Sequence, residues 1–231
     1  MKNPFLILSR KEKILWAVSL IIVALANILS GSFDYLTFFT ALIGVTAVLF
    51  QAKGNIWGQI FITIFAVLYG IISLQFHYYG EMMTYLGMAL PMALWAIYTW
   101  MRHPSESDPH AVKIRRLKPM HYVILVISGA AVTYVFYLIL ARFNTPNLVF
   151  STISITTSFY AAALTMLRST FYAFWYAMND LVLIVLWVYA STKDPSYIPM
   201  VINFAVFFLN DLYGFYSWKK REKVQRMDGQ T

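Results

Sequence analysis

Apolar residues in this chain come in eight long runs separated by short polar joints: 14–29, 35–50, 56–76, 81–100, 122–141, 148–167, 171–190 and 197–218. A helix that crosses a bilayer needs about 20 predominantly apolar residues. The pattern therefore predicts an all-α polytopic membrane protein with eight transmembrane helices. Pro91 lies inside the fourth run and should kink it, which a membrane tolerates where neighbours or a cavity re-satisfy the freed carbonyl. The joints are short: Lys53-Gly54-Asn55, residues 77–80, and residues 191–196. The one substantial loop is 102–121.

The stretch 54–100 reads as though written a second time at 171–218. With Gln59 laid on Asn179, each copy is an apolar helix with an amide near its start, a polar break, and a second apolar helix ending aromatic-x-aromatic-x-Trp. Tyr98-Thr99-Trp100 then answers Tyr216-Ser217-Trp218, and Trp95 falls on Tyr213. Both copies run the same way and are separated by an odd number of apolar segments. They are therefore parallel repeats, which imply two similar halves facing each other across a central axis with a transport pathway between them. The expected organisation is an N-terminal tail and extra helix (1–34), a first three-helix repeat (35–101), a basic loop (102–121), a linker helix without a repeat partner (122–146), a second three-helix repeat (147–218) and a basic tail (219–231).

Composition agrees with a membrane setting. Of 231 residues, 60% are hydrophobic and 12% charged, with a mean hydropathy of +0.62, which leaves almost nothing for a soluble domain. There is no cysteine, so disulfides and thiolate metal sites are excluded. The net charge of +8 does not point to nucleic acid, because its distribution follows the positive-inside rule. With eight spans and the N-terminus inside, 16 Lys and Arg residues fall on the inner side and only Arg142 and Lys193 outside, so both termini are expected in the cytoplasm. Lys113, Arg115, Arg116 and Lys118 in the long loop fit the same rule. A lipid-headgroup or regulatory site there is the competing reading. Ala24-Leu25-Ala26 resembles a signal-peptide cleavage site, but the first run is of spanning length and a retained helix is expected.

Polar groups at membrane depth are costly unless paired or facing water, so they mark interior surfaces. Those present are Gln59 and Thr84 in the first half, and Asn179, Asp180, Asn203, Asn210 and Asp211 in the second. The carboxylates are one-sided, with none at the matching places of the first half. Asp180 is expected to face a cavity. Asp211 does so equally well as it pairs with a snorkelling Lys219. Ser151 to Ser158 form a hydroxyl-rich run that packing explains as well as binding. Trp57 and Trp175 each precede an amide by a few residues, so that a stacking ring and an amide can be offered to one ligand. No His or Cys lies at depth, which leaves a transition-metal site without support. No phosphate loop, His-Glu-x-x-His or Ser-His-Asp set occurs. A membrane-embedded enzyme acting on a lipid is thus disfavoured, and no cofactor is expected.

The runs Gly54-Asn55-Ile56-Trp57-Gly58-Gln59, Leu68-Tyr69-Gly70-Ile71-Ile72-Ser73 and Tyr79-Gly80-Glu81-Met82 resemble the PnuC family of nicotinamide riboside transporters. So do Ser151 to Ser158, Tyr176-Ala177-Met178-Asn179-Asp180 and Asn210-Asp211-Leu212-Tyr213-Gly214-Phe215. The similarity spans about residues 35 to 219. The resemblance implies a SWEET-like 3+1+3 architecture, here preceded by one extra helix, a homotrimer in a bacterial cell membrane, and facilitated import for NAD synthesis, with a cytoplasmic riboside kinase trapping the substrate. A cationic pyridinium needs ring faces, amides and a carboxylate. On that reading Trp57 and Trp175 stack, Gln59, Asn179 and Asn210 hydrogen-bond, and Asp180 complements the charge. Relatives of the family carry thiamine or riboflavin, which stay open as alternative substrates.

Overall fold

A computed structural model describes residues 4–30, 33–75, 78–145 and 147–229. Lys2, Phe76, His77 and the last two residues of the basic tail lie outside the described residues. The helices are α1 Arg10–Ile28, α2 Tyr35–Ala52, α3 Ile56–Gln75, α4 Tyr79–Arg102, α5 Pro119–Arg142, α6 Leu148–Met166, α7 Tyr172–Lys193 and α8 Ile198–Met227. Among the described residues, seven spans, one built on each of α2 to α8, are long and apolar enough to cross a membrane. The first of the eight expected spans, α1, is a helix of 19 residues whose opening turn, Arg10-Lys11-Glu12-Lys13, is charged.

Local chemistry accounts for these boundaries. Ser9 and Glu12 form a reciprocal capping box at the start of α1, and Asp34 accepts from the Thr37 amide at 2.7 Å to open α2, each satisfying donors that a helix start leaves free. Pro91 does more than kink α4. Over Thr84–Ala89 the helix widens to a π turn, which absorbs the register change ahead of the missing donor at Pro91, and α4 continues to Arg102. The basic tail expected after Trp218 is the final stretch of α8. There Glu222 bridges Lys219 at 3.6 Å and Arg226 at 2.6 Å, one helical turn on either side.

Six helices close into a ring: α2 packs on α3, α3 on α4, α4 on α6, α6 on α7, α7 on α8, and α8 back on α2. α1 lies outside, against α2 and α8, and α5 packs on α6. The α1–α8 seam is polar at three levels. Tyr213 Oη donates to Glu12 at 2.6 Å, Asn210 Nδ2 donates to Ser19 Oγ at 3.0 Å, and Asn27 Nδ2 donates to Asn203 at 3.3 Å. Glu12 also holds Lys53 at 3.1 Å.

The turns after α2 and α6 are copies of one another, 114 residues apart by number. Gly54 and Arg168 are their left-handed residues, at φ +67° and +59°, and their amides donate to Gln51 O and Thr165 O. Asn55 and Ser169 donate to Phe50 O and Leu164 O in the same way. Trp218 Nε1 donates to Gln51 O at 2.9 Å and Trp100 Nε1 to Thr165 O at 3.0 Å. The Trp100–Trp218 equivalence read from the sequence is therefore matched by geometry. The pairing of Gln59 with Asn179 is not: at this register Asn179 corresponds to Phe65, and Gln59 to Ala173.

Candidate functional site

A hollow of ≈ 60 Å³ lies on the axis of the ring and is lined by residues from all six of its helices. Its walls obey the same 114-residue register. Gly44, Val48 and Gln51 of α2 answer Ser158, Ala162 and Thr165 of α6, and Ile62, Phe65 and Ala66 of α3 answer Tyr176, Asn179 and Asp180 of α7. Every one of these except Thr165 lines the hollow. The symmetric scaffold thus carries an asymmetric chemistry: apart from the Gln51 amide, the matched first-half positions are apolar, and they face an amide, a carboxylate and hydroxyls in the second half.

Asn179 is the most tightly held group. The hydroxyls of Ser154, Thr157 and Ser158 on α6 converge on its carboxamide oxygen at 3.2, 2.9 and 3.0 Å. The hydroxyl-rich run of α6 therefore packs the helix and orients a cavity amide at the same time. Asp180 and Asp211 are both buried and interact directly across the α7–α8 seam. One carboxyl oxygen of Asp180, Oδ2, has no hydrogen-bond partner. Asp211 is thus a cavity residue, and Lys219 is engaged elsewhere, at Glu222 and over the Phe171 ring at 4.4 Å.

Aromatic rings close one end of the hollow. Phe65, Tyr69, Tyr85, Phe204 and Phe207 form a continuous cluster, with Tyr69 and Tyr85 centroids 4.5 Å apart. Gly44 permits it, since a Cβ there would sit 2.6 Å from Phe207. The other end is closed by Gln51, whose Nε2 reaches Thr165 Oγ1 at 3.4 Å, and by Trp100 and Trp218, whose rings are 5.6 Å apart.

Of the residues singled out in the sequence, Thr84, Ser158, Asn179, Asp180 and Asp211 line this hollow. Gln59 does not. It is fully buried, with its Nε2 unpartnered, on the same stripe of α3 as Ile62 and Ala66 and one turn nearer the basic end. Trp57 packs in a cluster with Phe50, Phe61 and Tyr213, and Trp175 packs on Tyr160 at 4.7 Å, so the two indoles do not flank the hollow. Asn210 faces α1. Gln51, Tyr85 and Tyr176 were not expected. Gln51 sits in the last turn of α2, where its position reads as a helix end. Another buried carboxylate, Glu81 at the start of α4, has an unpartnered Oε2 and faces a separate hollow beside Tyr78 and Tyr197 at the opposite end from the basic loop.

Six membrane helices around an internal polar site define a polytopic membrane transporter. The chain belongs to the nicotinamide mononucleotide transporter family, whose model matches residues 34–220. It is similar to the nicotinamide riboside transporter PnuC of Neisseria mucosa, 27% identical over 202 residues that cover 85% of this chain and 76% of the relative. It is also similar to the nicotinamide riboside transporter PnuC of Haemophilus influenzae, 23% identical over 225 residues and 96% of each chain. The fold is similar to that in the crystal structure of the vitamin B3 transporter PnuC, with a TM-score of 0.80 at 23% identity over 92% of both chains.

Proposed function

We propose that this chain carries nicotinamide riboside across a bacterial cell membrane by facilitated diffusion, through the hollow between its two halves. The observation that supports this most is the make-up of the lining. It contains two carboxylates, a fixed amide and aromatic rings and, among the described residues, no Lys, Arg or His. Carboxylates and ring faces suit a cationic pyridinium. A phosphate buried among them would have no charge-assisted partner, which favours the riboside over its mononucleotide.

In this reading Asp180 complements the charge and Asn179 bonds the carboxamide or ribose in the conformation described. Gln59 stands one turn below, and Trp57, Trp175 and Asn210 stand behind the contact surface. The hollow has room for only a few waters, so loading requires the halves to part. The ring of contacts and the matched turns support a SWEET-like 3+1+3 arrangement with α5 as linker and α1 as an eighth, added span. The basic loop and tail share one end with Trp100 and Trp218, which we assign to the cytoplasm together with both termini. A homotrimer among membrane lipids and a cytoplasmic kinase that traps the imported riboside complete the proposal.

Calorimetric titration of the purified protein tests it. Nicotinamide riboside should bind, and the mononucleotide about 10- to 100-fold more weakly, the cost of leaving a charged group without its hydrogen bonds. Equal or tighter binding of the mononucleotide overturns the proposal. Thiamine, also a cation, is the second reading that the carboxylates favour, and preferential binding of thiamine would replace the first. Neutral riboflavin gains nothing from Asp180 and should bind least.

A further inference from the structure

At the left-handed position of the two matched turns, the first half has glycine and the second half arginine. At Gly54 the left-handed backbone is free of steric cost. At the equivalent position of the second half Arg168 holds the same conformation, one that residues with an L side chain rarely adopt. Arg168 is 8% exposed. Its Nη1 donates to Lys113 O at 3.3 Å, which leaves most of its five donors without a protein acceptor.

Arg115 stands at the rim of the same place, its amide donating to Arg168 O at 3.0 Å and its Nη2 next to His121 Nε2 at 2.9 Å. The two arginines, with His103, line a hollow of ≈ 470 Å³ whose apolar wall is Trp95, Met166 and Leu167. Trp95 is 56% exposed and carries that wall out to the flank of α4.

Among the described residues the nearby acids are engaged elsewhere. At this end of the bundle Glu106 pairs with Lys113, Asp108 with Arg221, Glu222 with Lys219 and Arg226, and Glu12 with Lys53. Among the described residues no Asp or Glu pairs with Arg115 or Arg168. Burial first, and then the neighbouring Arg115, bring Arg168 down to about 10, as for two like charges held together without a counter-ion.

We propose that this pocket binds a phosphate-bearing anion, held by Arg168 and Arg115, at the basic end of the transporter and apart from the transport hollow. Planar guanidiniums grip phosphate oxygens two at a time. Two sources share that chemistry: the headgroup of an anionic phospholipid, whose chains would run along Trp95, and a soluble phosphomonoester.

The test follows the melting midpoint of the purified chain in detergent at constant ionic strength. The probes are inorganic phosphate, phosphatidylglycerol and, as the neutral control, phosphatidylcholine. Arg168→Gly removes the guanidinium and suits the left-handed backbone, so it should fold. Arg115→Gln, at the exposed rim, is the second variant, and Lys220→Gln controls for general loss of positive charge. Phosphate or phosphatidylglycerol should raise the midpoint of the wild type and of Lys220→Gln. Half-saturation should move up about tenfold or more in Arg168→Gly and in Arg115→Gln. A rise with phosphate identifies the soluble source, and a rise with phosphatidylglycerol alone the headgroup. No rise with either, an equal rise with phosphatidylcholine, or an unchanged response in both arginine variants overturns the proposal.

Discussion

Asp180 and Asn179 are neighbours in sequence with different supports, and substitution should separate them. Asn179 is fixed by three hydroxyls, whereas Asp180 stands beside Asp211 and keeps one buried carboxyl oxygen without a hydrogen-bond partner. Asp180→Asn should therefore weaken binding of a cationic riboside about 5- to 30-fold, the equivalent of 1–2 kcal/mol. It should leave the uncharged dihydropyridine analogue unaffected, as parallel titrations of the two ligands would establish. Sequence reasoning reaches these two residues because polarity at membrane depth has to be satisfied somewhere. It does not say by what. α8 carries Asp211 toward the hollow, while Asn203 and Asn210 on the same helix bond α1. Depth alone does not tell a cavity from a seam, and only the rotation of each helix decides.

Among the elements, the close crossing of α2 and α3 is the tightest constraint. A Cβ on Gly58 would lie 2.4 Å from the backbone nitrogen of Gln51, and backbone cannot swing aside as a side chain does. Gly58→Ala is expected to cost at the upper end of about 1–3 kcal/mol, read as a lowered melting midpoint in detergent. It should also disturb the Gln51 end of the hollow. The order and approximate limits of the seven apolar spans are legible in the sequence because hydrophobic run length is set by the membrane. The repeat is legible too, through Trp100 and Trp218. Its register is not, since matching one amide to another, Gln59 to Asn179, ignores that the halves have diverged in chemistry while keeping their backbone. The left-handed turns at Gly54 and Arg168 hold the true register, and only one of them is written as glycine. The π turn of α4 is likewise invisible, because a proline announces a disturbance without announcing its form.

For the whole molecule, the basic loop and the end of α8 act as one body. Gln225 accepts from the Ile114 amide at 2.8 Å and donates to Ser105 Oγ at 3.2 Å and Val112 O at 3.3 Å, with Arg221 joined to Asp108 at 3.4 Å. Gln225→Ala strands a buried amide, a loss of about 1–3 kcal/mol. The expected result is faster protease cleavage within residues 102–118 under native conditions, with the transmembrane core intact. Charge counting sees in this region only a vote on orientation. The clasp joins the stretch that leaves α4 to the last helix of the opposite half, on the side where Trp100 and Trp218 meet. Any swing that separates the two indoles must drag Gln225 and its loop along or tear three bonds, so the terminal turns of α8 act as a tether that limits how wide the bundle can open at this end.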